Sequence, residues 1–286
     1  MRTPSAYGHE MTVAIVAFPP SKTEIVTVSD QRLSYGEVIP AADEGTMKNV
    51  KITRKWSMMF AAEDATAFTP VLNETMDILL KLDMPVSEHK RLQRDFTAGM
   101  VMDAARRAYE KEFNERFFRE KLARFGFADI SEFRKFGYAE MGKDLYHQYS
   151  MDLAKFNLGL EILVYGFDNA GGRIVFEVAN PGKIINHTMR GYAAIGSGTL
   201  MALAALNKKP LGPTLADTIY RVVDAKFSSE TARDVGKKTH VITLSSEGTN
   251  GFLYDAELAT LHRIWEIDLA RPIPKRQLTL LISATW

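Results

Sequence analysis

Cysteine is missing from this 286-residue chain. Disulfides, thiolate metal sites and a cysteine nucleophile are therefore excluded, and the absence fits a reducing compartment. Six histidines are present, His9, His89, His147, His187, His240 and His262, but none lies four residues from another, so the spacing of a helical metal site is missing. Neither sign of charge dominates. Thirty-six Lys and Arg against 35 Asp and Glu leave a formal net charge of +1, without the basic excess of a nucleic-acid binder. Long apolar runs are scarce as well. The longest, residues 192–206, is interrupted by Gly196, Ser197, Gly198 and Thr199 and is too short for a bilayer span. Residues 1–10 lack the apolar stretch of a secretory signal, so a cytoplasmic location with no membrane partner is the expectation. Gly196-Ser197-Gly198-Thr199 lacks the lysine of a phosphate-binding loop, and Gly236-Lys237-Lys238-Thr239 has no glycine five residues upstream. No cofactor and no metal are expected.

What is present suits a globular protein: 46% of residues are hydrophobic and 25% charged. The length allows one large domain or two, and the pattern below is read as a single domain over 1–286. Met11 to Ala17 is a run of small and β-branched residues that favours a buried strand. Two prolines break it at Pro19 and Pro20, and Ile25 to Asp30 returns as the partner strand of a hairpin. Val50 to Thr53 and Trp56 to Ala62 form a second strand pair. A helix follows from near Asp64 to Leu82, with Phe68, Val71, Leu72, Met76, Leu79 and Leu80 at helical spacing.

Residues 86–118 are helical in content, with a charged face from Arg106 to Glu112 that reads as a solvated surface. Residues 119–157 read as further helices rich in aromatics, among them Phe125, Phe133 and Tyr146, which fit a core or subunit contacts. A hairpin comes next, Leu158 to Phe167 and Arg173 to Val178, turning at Asp168 to Gly172. Then come two antiparallel helices, 197–208 and 214–231, a strand pair at 239–244 and 251–254, and a helix at 256–269. Residues 277–286 read as an extra strand, pairing at an edge or with a neighbouring subunit. Strands, helices, strands, helices, strands in that order predict two antiparallel sheets between helical layers, because each sheet must cover its outer apolar face.

The order of these pieces resembles the proteasome β-subunit and HslV-type branch of the N-terminal-nucleophile hydrolases. The residues that carry the resemblance are Thr12, the Val28-Ser29-Asp30-Gln31-Arg32 segment, the Met47-Lys48-Asn49-Val50-Lys51-Ile52 segment, Phe60-Ala61-Ala62-Glu63-Asp64-Ala65, and the later Gly196-Ser197-Gly198-Thr199 turn after a strand. Residues 90–156 stand as a helical insertion within that plan. The resemblance implies an α+β fold of the four-layer αββα sandwich kind and a threonine-type endopeptidase. Its substrate would be a peptide or unfolded protein, cleaved inside a homo-oligomeric ring served by an ATP-dependent unfoldase.

By motif match the nucleophile is Thr12, the orienting carboxylate Asp30, the tuning cation Lys51 and a supporting hydroxyl Ser197. Asp234 is the nearest counterpart of a further acidic residue. In that chemistry the threonine hydroxyl attacks a peptide carbonyl while its own α-amine takes the proton, and a nearby lysine lowers the amine pKa by like-charge repulsion. Thr12 is not first in the chain, and an amide nitrogen has no usable lone pair. Residues 1–11 are therefore read as a leader or a mis-assigned start; a start at Met11, followed by removal of that methionine, would expose Thr12. Two departures stand out: Thr12-Val13 replaces the usual Thr-Thr, and no glycine occupies the Met58 to Ala62 run, where one normally faces the oxyanion.

Two other readings use the same residues. A noncatalytic subunit of this fold would assemble or bind a partner through the helical insertion, and a related amidohydrolase would act on a small amide. In a purely structural account Thr12 is a strand residue, Lys51 and Asp30 a buried ion pair, and Ser197 a helix N-cap.

Overall fold

A computed structural model describes residues 12–31, 48–82, 95–231 and 235–270. In chain order its elements are β1 (Ala14–Ala17), β2 (Glu24–Asp30), β3 (Asn49–Lys51), β4 (Trp56–Ala62), α1 (Phe68–Leu82), α2 (Ala98–Phe117), α3 (Ile130–Met141) and α4 (Lys143–Lys155). There follow β5 (Leu160–Phe167), β6 (Arg173–Ala179), β7 (Lys183–Asn186), β8 (Tyr192–Ile195), α5 (Thr199–Lys208), α6 (Leu215–Ser229), β9 (Thr239–Ser245), β10 (Asn250–Phe252) and α7 (Asp255–Ala270). The strands form two antiparallel sheets, one in the order β10-β9-β2-β1-β8 and the other β3-β4-β5-β6-β7. This is a mixed α and β chain with two antiparallel sheets.

Side chains alternate between the faces of a strand, and the packing follows that period. Ile15 and Ala17, with Val13 just before them, turn toward α5 and α6 and meet Ala202, Leu206, Ile219 and Val223. Ala14 and Val16 turn the other way and meet Met59, Ala61, Leu163 and Tyr165 of the second sheet. That sheet's opposite face presents Met58, Phe60 and Ile162 to Phe68 and Val71 of α1 and to Val101 and Tyr109 of α2. Each sheet is thus apolar on both sides, one side against helices and the other against its companion. A fully buried Ile or Val in such a place contributes roughly 1.5–3 kcal/mol.

Local chemistry sets the helix starts. The Thr97 hydroxyl caps α2 by accepting the Met100 N–H, and Thr214 and Asp217 form a reciprocal capping box at α6. After α2 the chain passes through a π turn at Phe118–Leu122 and a 3-10 turn at Ala123–Phe125, which ends at Gly126 in the left-handed region. From there α3 and α4 close around Phe117, Leu122, Phe127, Ile130, Phe133 and Tyr149, a core separate from that of the sheets. Within the segment 90–156, α2 therefore belongs to the helices that cover the second sheet, and the part with its own core begins at Phe117.

β7 was not foreseen. Its exposed ends and its position just after Asn180-Pro181-Gly182 hide the strand alternation. The strand expected at 277–286 and the leader at 1–11 lie outside the described residues. No helix among the described residues is long and apolar enough to cross a membrane.

Candidate active site around Thr12

Thr12 stands at the head of β1, an inner strand held on both sides by β2 and β8. The Asp30 N–H donates to the Val13 carbonyl at 3.2 Å, which carries the β1–β2 ladder past the Ala14 to Ser29 pair and sets Asp30 beside the residue after Thr12. The Thr12 carbonyl accepts the Gly198 N–H at 3.3 Å and, over a longer 3.4 Å, the Ser197 hydroxyl. This arrangement depends on Gly196, whose φ is +87° and at which a Cβ would fall 2.3 Å from the Thr12 carbonyl oxygen. Ser197 does not cap α5; Gly198 holds that position and has no side chain to offer.

The Thr12 hydroxyl is enclosed, with the residue 5% exposed, and has no hydrogen-bond partner among the described residues. Leaving a buried hydroxyl unpaired costs about 1–3 kcal/mol, so the position calls for an explanation beyond packing. Thr12 also lines a cleft of about 490 Å3, together with Ala61, Ala62 and Glu63 after β4, Glu161 of β5, and Gly196 and Ser197. The Glu161 carboxylate accepts the Gly196 N–H at 2.7 Å and ties the Gly-Ser-Gly turn to the second sheet. Nearby, the Tyr109 phenol donates to the Leu160 carbonyl at 2.7 Å; burial first, and then the Glu161 charge, push its pKa up.

Asp30 is wholly buried, and its carboxylate meets the ammonium of Lys48, which is only 1% exposed. Its second oxygen accepts the Gly236 N–H at 3.0 Å. Burial raises the Asp30 pKa, while Lys48, the Gly236 N–H and the charge of Lys226 pull against that rise. Lys226, on α6, is itself fully buried; it pairs with Glu230 and donates to the Lys237 carbonyl at 2.9 Å.

The cation beside Asp30 is thus Lys48 and not Lys51, which corrects the motif match. Lys51 lies three residues further along, roughly 10 Å at the rise of a strand. That distance carries it to the other end of the first sheet, where its ammonium donates to the Gly248 carbonyl in the β9–β10 turn. Asp234 lies outside the described residues.

Sequence reasoning missed Lys226, Glu63 and Glu161. Lys226 had a readable signal, since Ile219, Val222, Val223 and Lys226 fall at i, i+3, i+4 and i+7, on the buried stripe of α6. The two glutamates had none, because one polar residue in a strand and one at its end are unexceptional. No group of His, Asp and Glu that could hold a metal ion occurs among the described residues. The chain matches no protein-family model and no curated protein.

Proposed function

We propose that this chain is a proteasome-like N-terminal-nucleophile hydrolase, its helix, sheet, sheet, helix packing being the four-layer αββα sandwich of that class, with Thr12 as nucleophile once its α-amine is free. The observation that supports this most is at Thr12: its hydroxyl is enclosed and has no partner among the described residues, and the residue lines a cleft of about 490 Å3 beside the Gly-Ser-Gly turn. In the proposed reaction the α-amine takes the hydroxyl proton as the oxygen bonds to a peptide carbonyl carbon. The amine side of the substrate then leaves with that proton, and water releases the acyl group from Thr12. Lys48, oriented by Asp30, supplies the positive charge that lowers the amine pKa. Ser197 steadies the Thr12 backbone, and the Ala61-Ala62 stretch on the cleft wall is where a backbone N–H would receive the oxyanion.

The same reading carries a peptide or unfolded-protein substrate, a homo-oligomeric ring, a cytoplasmic setting and an ATP-dependent unfoldase as partner. Its test is the intact mass of protein from the natural source, combined with an electrophile directed at N-terminal threonine. A chain beginning at Thr12 that takes one adduct, and takes none after Thr12→Ala, is the expected result. A chain that keeps residues before Thr12 and forms no adduct would overturn it.

One observation favours a noncatalytic subunit of the same fold as the second reading. The unit after Phe117 has its own core and exposes Phe136, Tyr138 and Met151, as a partner-binding appendage would. That version predicts assembly without hydrolysis of any peptide.

A further inference from the structure

One fully buried charge has no part in the reaction above: Lys226, in the last turn of α6, is 0% exposed. Taking an ammonium out of water is costly, so the contacts it makes have to offset a large desolvation penalty. Those contacts lead to Asp30. The ammonium pairs with Glu230 at the end of α6, lies 5.7 Å from the centre of the Phe227 ring, and donates to the Lys237 carbonyl at 2.9 Å. Lys237 follows Gly236, whose N–H donates to one Asp30 oxygen at 3.0 Å, while the other Asp30 oxygen holds Lys48. Lys226 thus fastens the approach to β9, which carries one of the groups gripping Asp30.

Its charge reaches the same carboxylate. Burial raises the Asp30 pKa, and the influences that lower it are Lys48, the Gly236 N–H and then the charge of Lys226. His240, the titratable group on the neighbouring β9, lies in register with Ser29, so by strand alternation its side chain leaves the sheet on the face away from Asp30.

The end of α6 also abuts the nucleophile's own strand. Ser229, fully buried, donates its hydroxyl to the Lys226 carbonyl at 2.6 Å. A Cβ at Gly198 would lie 3.1 Å from the Ser229 Cβ and 3.0 Å from that of Val13, the residue after Thr12.

We propose that Lys226 is a positioning residue of the Thr12 site: from α6 it braces the Gly236 and Lys237 backbone against Asp30 and adds a second cation to the pair that Asp30 makes with Lys48. Without it, Asp30 takes up a proton at higher pH, and a neutral Asp30 no longer holds the Lys48 ammonium. The Thr12 amine then loses the positive neighbour that lowers its pKa. That loss is confined to the acid side, because at high pH Asp30 is ionised with or without Lys226. The effect on Thr12 rests on the function proposed above, whereas the hold on Asp30 does not.

Two variants test this. Lys226→Met removes the cation alone, and Lys226→Met/Glu230→Leu removes the pair, a replacement that buried ion pairs commonly tolerate. Circular dichroism checks both, and where the single variant fails to fold the double variant decides. On the full chain, carboxyl NMR of isotope-labelled aspartate follows Asp30, whose signal is the one missing from Asp30→Asn. Asp30 is expected to titrate at higher pH in the variants than in the wild type. On protein beginning at Thr12, addition of the threonine-directed electrophile is expected to slow about 10-fold near about pH 6 and to match the wild type near about pH 9, the scale of one pH unit on the acid limb.

An unmoved Asp30 titration overturns the inference. So does a rate lowered equally at every pH, which is what a merely structural brace produces, a rate unchanged at every pH, or loss of the fold in both variants. If wild-type protein beginning at Thr12 takes no electrophile at any pH, the function proposed above falls, and the Asp30 titration alone decides whether Lys226 governs that carboxylate.

Discussion

Lys48 and Asp30 form a buried ion pair, the lysine from the approach to β3 and the aspartate from the end of β2, with both side chains closed off from water. Removing one partner strands the other charge in the interior. Lys48→Met is expected to destabilise the protein by about 3–5 kcal/mol, the range for breaking a buried pair. Lys51→Met, at an exposed position bonded to a turn carbonyl, should cost less than about 1 kcal/mol. Urea unfolding of the two variants decides the matter, and equal losses would contradict the assignment of Lys48 as the cation of this site.

Gly196 and Gly171 share a left-handed backbone, with φ of +87° and +81°, but differ in what surrounds them. An added Cβ at Gly171 meets nothing within 4 Å, whereas at Gly196 it strikes the Thr12 carbonyl. Gly171→Ala should cost only the conformational strain, about 1–2 kcal/mol. Gly196→Ala should cost more than that and should also abolish electrophile addition at Thr12, because the residue is pushed from its place.

Two helical glycines make a second contrast. Gly99, in the first turn of α2, has nothing within 4 Å of a built Cβ, so Gly99→Ala should gain up to about 1 kcal/mol from helix propensity. Gly137 in α3 would bring a Cβ to 2.8 Å from the Phe133 ring and 3.1 Å from the Tyr146 ring. Gly137→Ala should forfeit that gain and destabilise the unit, as overpacking does. Hydrogen exchange is the measurement: protection should fall in α3 and α4 while β1 and β4 keep theirs, and a matching loss in the sheets would refute a separate core.

His240 on β9 is half-buried against Phe252, and burial holds its pKa below the ordinary 6.5. Its contribution to stability is complete above pH 6.5. It declines as the pH falls below that value, because the unfolded chain takes up the proton first. Stability should therefore drop on acidification from pH 7 toward 5, and His240→Gln should flatten that part of the profile. A profile unchanged by the substitution would show that His240 does not titrate differently in the folded protein.

Much of the fold could be read from periodicity. β1 and β2 announce themselves through β-branched runs on either side of Pro19 and Pro20, and the helices α1 and α6 through apolar stripes. What stayed hidden depends on which strands lie opposite one another, information that no local window contains. Lys48 and Lys51 sit in one short segment, and only the antiparallel registers send one toward Asp30 and the other toward Gly248. Glu161 gains its meaning because the Gly196 N–H, 35 positions away in sequence, donates to its carboxylate. Thr12 and Ser197 were found by the order of motifs, and they do come together, though through the Thr12 carbonyl.

The aromatic unit after α2 leaves and rejoins the chain at one place: the rings of Phe117 and Phe156 lie 5.3 Å apart, centroid to centroid. A segment whose two ends touch can be gained, lost or exchanged at the gene level in a single event, without changing the register of any strand. Descendants of one ancestor could thus share the same cleft while differing wholly in the appendage beside it. Swapping that segment for a short linker is then a way to separate what the cleft does from what the appendage contributes.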